Sequence, residues 1–111
     1  MPATRARLRE FALGLPESVE DFPWGESVAK VRGKVFVFLG AEGSTRITVK
    51  LEESHEHALS IEGAAPTGYG LGKAGWVTVP FGEVPLDVAR DWIEESYRIV
   101  APKRLAAQLD G

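Results

Sequence analysis

From Thr45 to Leu51 the side chains alternate without a break: Ile47, Val49 and Leu51 are apolar, while Arg46, Thr48 and Lys50 are polar. A period of two puts each set on its own face, which suits an extended strand with one buried and one wet side. Upstream, Ser27–Arg32 and Val35–Leu39 are rich in valine and phenylalanine, with Gly33 between them as a hairpin turn. Gly40–Ser44 makes the next turn. Three strands joined this closely form an antiparallel meander, and its apolar face needs helices to cover it.

Those helices are legible. Arg5–Leu13 carries Leu8, Phe11 and Ala12 at helical spacing behind Thr4, a candidate N-cap, and Gly14 and Pro16 stop it. Leu86, Ala89, Trp92, Ile93, Tyr97 and Val100 form the apolar stripe of a long helix that Pro85 opens and Pro102 breaks. Lys103–Leu109 adds a turn or two. Ser54–Ile61 is a short helix with Ser54 as its expected cap. Pro16–Gly25 is an acidic connector, Gly63–Gly75 a glycine loop, and Trp76–Phe81 a further strand with which part of that loop can pair. The order predicts an α+β fold: an antiparallel sheet of about five strands with helices packed mainly on one side. At 111 residues and 44% hydrophobic, the chain has the size and composition of a single domain spanning 1–111.

The sequence holds no cysteine, which removes disulfides, thiolate metal sites and cysteine nucleophiles. The N-terminus is too charged for a signal peptide, and no apolar run approaches the ~20 residues of a membrane helix, so a cytoplasmic protein without a membrane partner is expected. Gly70-Leu71-Gly72-Lys73-Ala74-Gly75 matches the dinucleotide fingerprint only formally, because a strand rather than a helix follows it. A Walker A reading fails too, since Thr67 stands where its first glycine belongs and Ala74 replaces the hydroxyl residue. His55 and His57, two apart on a helix, do not face the same side, so they suggest surface residues rather than a metal pair. Glu94 and Glu95 are expected on the solvated face of the long helix. No nucleophile, acid pair or metal set can be assembled, so neither an enzyme nor a cofactor is expected.

The charge distribution is more informative than the net charge of −3. Between Ser27 and Lys50 five cations, Lys30, Arg32, Lys34, Arg46 and Lys50, face only Glu42, whereas Glu52, Glu53, Glu56 and Glu62 follow with no cation among them. Lys30 and Arg32 are expected to share one face, as are Arg46 and Lys50. If the pairs converge, the open side of the sheet is a cationic surface suited to phosphates. If the acidic run folds back beside it, the surface is balanced. Trp24, Tyr69 and Trp76 lie near glycines, where aromatic rings either stack on bases or close the end of a small core, and the core role is favoured.

Five short stretches in order resemble the MmcQ/YjbR family: Phe22-Pro23-Trp24-Gly25, Lys30 to Phe36, Thr48-Val49-Lys50-Leu51, Gly68-Tyr69 with Gly72-Lys73 and Trp76, and Glu95 to Val100. The resemblance runs from about Leu8 to Leu109. Gly72 departs from it, standing where an asparagine is usual. The resemblance implies helices on an antiparallel sheet, arranged as in bacterial frataxin (CyaY-like), and DNA binding through a double wing of β-hairpins. It brings no catalytic residues.

The function expected is therefore a non-enzymatic DNA-binding module. Lys30, Arg32, Lys34, Arg46, Lys50 and Lys73 are its phosphate contacts, and Tyr69 and Trp76 are its stacking residues. The alternatives are an adaptor that takes another protein on an exposed strand edge, and a small-ligand domain with a pocket near the glycine loop, bounded by Trp76 and the final helix. The residues carry no sign of oligomeric state.

Overall fold

The structure, a computed structural model, describes residues 1–110. Its elements are α1 (Arg5–Leu13), β1 (Ser18–Asp21), β2 (Ser27–Val31), β3 (Lys34–Gly40), β4 (Arg46–Lys50), α2 (His55–Leu59), β5 (Ala65–Pro66), β6 (Trp76–Pro80), α3 (Leu86–Val100) and α4 (Lys103–Ala107). The strands form one antiparallel sheet in the order β1-β2-β3-β4-β6-β5. The α+β class holds, and the sheet has six strands. β1 is the strand the sequence concealed, because its residues, Ser-Val-Glu-Asp, are polar enough to pass for a connector. It forms by pairing with β2, Ser18 opposite Val31 through Asp21 opposite Val28.

One face of the sheet is the core. Ala29, Val31, Val37, Ile47, Val49, Val77 and Val79 point into it and meet Leu8 and Ala12 of α1, Ala58 of α2, and Leu86, Ala89, Trp92, Ile93 and Tyr97 of α3. The stripe of α3 is buried as its spacing predicts, with Val100 half-buried at its end. The Thr4 hydroxyl caps α1 by accepting from the Arg7 N–H at 3.3 Å. Ser54 holds the cap position of α2 but makes no capping bond with its side chain.

The opposite face carries no helix. It presents Val28, Lys30, Phe38, Arg46, Thr48, Lys50, Trp76 and Thr78, as strand alternation and register require. Val28 and Trp76 are buried yet stand outside the main core cluster. The Phe38 and Trp76 rings meet edge to face at 5.4 Å, so this side has a small apolar centre of its own.

α3 is fastened to the sheet by polar side chains as well as by its stripe. β3 and β4 pair only at Val37–Val49 and Phe38–Thr48, then part. The Ser96 hydroxyl fills the gap: it donates to the Phe36 carbonyl at 2.5 Å and accepts from the Lys50 N–H at 2.9 Å. One turn of side chains does the rest. Glu95 accepts from the N–H groups of Glu52 and Ser54, and Tyr97 donates to the Pro16 carbonyl at 2.7 Å while its ring meets Phe36 edge to face. Burial is the first cause of the raised pKa of the Tyr97 hydroxyl, followed by the nearby Glu17 carboxylate. The stretch Glu95–Tyr97, which resembles a family motif, is thus a clasp between helix and sheet. The expectation of a solvated face for Glu95 is corrected, because its carboxylate satisfies two backbone donors.

Candidate nucleic-acid interface

The cations of the meander divide into three places. Lys30 lies on the open face of β2, where its ammonium pairs with Asp21 at 2.8 Å. Arg32 leaves the strand pattern altogether. It occupies the two-residue turn with Gly33, at φ 52° and 80°, and both positions are left-handed as a type I′ hairpin requires. From there its guanidinium reaches Glu17 with Nε at 2.6 Å and Nη2 at 3.2 Å. Lys30 and Arg32 therefore do not share a face, contrary to the alternation expected. Lys34, just past the turn, is exposed on the helix side of the sheet.

The acids that neutralise this hairpin come from β1 and the residue before it, not from the run after β4. Arg32 holds the Glu17 carboxyl below its usual range, and Lys30 does the same to Asp21. On the core side of β1, Arg9 of α1 grips Glu20, which also accepts from the Ser27 hydroxyl at 2.6 Å. The Arg9 hydrogen bond is the main reason that Glu20 titrates at about 2. Glu52 and Glu53 instead line a separate cleft of about 410 Å³ with Asp91, Glu94 and Glu95.

A second cleft, of about 420 Å³, opens at the hairpin tip. Arg32, Lys34, Arg98 and Lys103 line it over a floor from Ile99 to Pro102, and no carboxylate residue is among its walls. Arg98 is tied to Glu94 and Asp110. Lys34 and Lys103 have no ion-pair partner among the described residues. The end of α3 thus divides an acidic cleft from a cationic one, and Arg98 and Ile99 border both. Arg98 and Lys103 were not among the candidates read from the sequence. The available signal was Pro102, which turns the chain sharply between them.

Elsewhere, Arg46 donates to the Gly63 carbonyl at 3.0 Å. Lys50 stands opposite Trp76 on the open face. It lies two strand spacings from Lys30, about 10 Å, so the open-face cations are spread out rather than gathered. Lys73 is exposed in the glycine loop. Gly72 in that loop has a steric cause: a Cβ there would come within 2.9 Å of the Pro66 Cβ and 3.0 Å of the Thr67 carbonyl. This turn cannot take an asparagine without moving.

The aromatic residues separate as sharply. Trp76 is 9% exposed and belongs to the packing of the open face. It lies on the other side of the sheet from α3, so the two do not border one pocket. Trp24 and Tyr69 are 98% and 105% exposed, which corrects the expectation of a core role. Both sit at left-handed φ, 58° and 59°, each followed by a left-handed glycine. Each turn is closed by a backbone bond, Glu26 N–H to Pro23 at 3.2 Å and Leu71 N–H to Gly68 at 3.2 Å. The reversal throws the ring outward, away from either core.

Among the described residues, no group of three His, Asp or Glu side chains could hold a metal ion. No helix among the described residues is long and apolar enough to cross a membrane. A family model described as YjbR matches residues 13–99. No curated protein matches the chain.

Proposed function

The chain belongs to the YjbR family, and from that premise we propose that it is a DNA-binding module, without chemistry of its own, whose phosphate contacts lie in the cleft at the β2–β3 tip. One observation carries the reading: Arg32, Lys34, Arg98 and Lys103, drawn from two distant parts of the chain, converge on one cleft with no carboxylate residue in its walls. A local concentration of cations holds a polyanion even when the whole protein is acidic, because binding follows where charge sits. Lys34 and Lys103 are the two contacts available without breaking an existing ion pair. The hairpin carries Arg32 at its very tip, as a wing laid along a phosphate backbone would need.

Fluorescence anisotropy with a labelled DNA duplex tests this. Affinity should fall with salt at a logarithmic slope of about −2 or steeper, and Lys34→Glu with Lys103→Glu should reduce that slope by about 2. A double variant that binds with unchanged affinity and slope overturns the assignment.

One observation favours a second reading. Val19, on the outer strand β1, and Phe22 and Trp24, in the turn that follows it, are all more than half exposed, and the outer edge of β1 has no neighbour in the sheet. An edge of this kind can accept an extended segment of another protein. That reading is supported if Val19→Lys abolishes capture of a protein partner while DNA affinity is unchanged.

A further inference from the structure

Trp24 and Tyr69 occupy positions that serve the fold poorly. A bulky side chain at left-handed φ is uncommon, and a ring left in water contributes no burial. Two rings in the same aromatic-glycine turn, both fully exposed, therefore call for a use outside the fold. Their surroundings differ in charge. Trp24 is flanked in sequence by Asp21 and Glu26. From Gly63 to Phe81, around Tyr69, the only charged residue is Lys73, which is exposed.

The tyrosine corner holds more. β5 ends and β6 begins there, beside the Lys50 end of β4. On the open face the hydroxyls of Thr48, Thr78 and Thr67 form a row, at 2.9 Å and 3.0 Å between neighbours. Three hydroxyls share two hydrogen bonds, so one hydrogen and several lone pairs stay available to a ligand. All three residues are half-exposed. A free ring, two lysines and a hydroxyl row are the complement of a nucleotide: base, phosphate, and sugar or base edge. In a duplex the bases stack on one another and offer no face to such a ring, so the ring suits an unpaired base.

We infer that the Tyr69 corner is a stacking station for an unpaired base, with Lys73 and Lys50 beside it for the adjoining phosphates, so that the preferred ligand is single-stranded nucleic acid. This rests on the nucleic-acid reading above and adds the strand state. It is tested by anisotropy with a labelled oligothymidylate of about twelve nucleotides and with a duplex of similar length. The parent should prefer the single strand. Tyr69→Ala should weaken single-strand binding about tenfold and leave duplex binding unchanged. Tyr69→Trp should bind like the parent, and its added fluorescence should be quenched by the oligonucleotide. Trp24→Ala should change neither affinity. Preference for duplex, equal losses on both ligands, or a loss with Trp24→Ala alone overturns the station. If Tyr69→Ala is silent while the Lys34, Lys103 double variant weakens both ligands, the station fails and the cleft stands. If neither ligand binds, both fail.

Discussion

Ser96 is a polar residue on an apolar stripe, and that placement is its signal. It lies three residues after Ile93 and four after Trp92, where α3 faces the sheet. A hydroxyl there is tolerated only with partners, and it has two, the Phe36 carbonyl and the Lys50 N–H. Ser96→Ala leaves both backbone groups without that partner and should cost about 2–4 kcal/mol. A drop in Tm of about 10 °C or more is expected by thermal denaturation, and a change within a degree or two would contradict the clasp. Glu20 offers a test of charge. Arg9 holds its carboxyl near 2 from a reference of 4.5, so the ionised form belongs to the folded state. The stability it gives is complete above about pH 4.5 and is lost as pH falls toward 2. Glu20→Gln should flatten that part of a stability–pH curve, and an unchanged slope would remove the Arg9–Glu20 pair from the account. Side chains such as these were hard to read in advance, because their partners lie far away in sequence: Glu95 looked solvated until Glu52 and Ser54 were brought to it.

The strands and helices that obey a period were legible, and those that do not were missed. Alternation in Arg46–Lys50 and the 3.6-residue stripe of α3 each fix an element from within, so both were placed correctly. β1 has only four residues and a half-exposed, acidic pattern, and exists because β2 offers it a ladder. Glycine marked the turns well, but not what precedes it. Arg32, Trp24 and Tyr69 each take a left-handed φ that sequence patterns assign to glycine alone. At the hairpin, Gly33 has φ 80° and open space where a Cβ would stand. Gly33→Ala should therefore cost only the left-handed backbone penalty, about 1–2 kcal/mol, with Gly33→Asn nearer neutral. Equal stability of all three proteins by chemical denaturation would contradict the type I′ turn.

At the scale of the molecule, the expected basic sheet resolves into something narrower. Five cations in one segment suggested one surface, but register and turn send them to three places, and Asp21 of β1 and Glu17 just before it neutralise two of them. What concentrates charge is the meeting of the hairpin tip with the end of α3, some seventy residues later in the chain. No local pattern could report that convergence. The most direct measurement is a ¹H–¹⁵N correlation spectrum of the ¹⁵N-labelled chain titrated with duplex DNA. Salt-sensitive shifts should concentrate in the amides of Arg32, Gly33, Lys34 and Lys103. Shifts confined to the β1 edge or to the acidic cleft around Glu52 and Glu95, or no shifts at all, would contradict the cleft as the binding site.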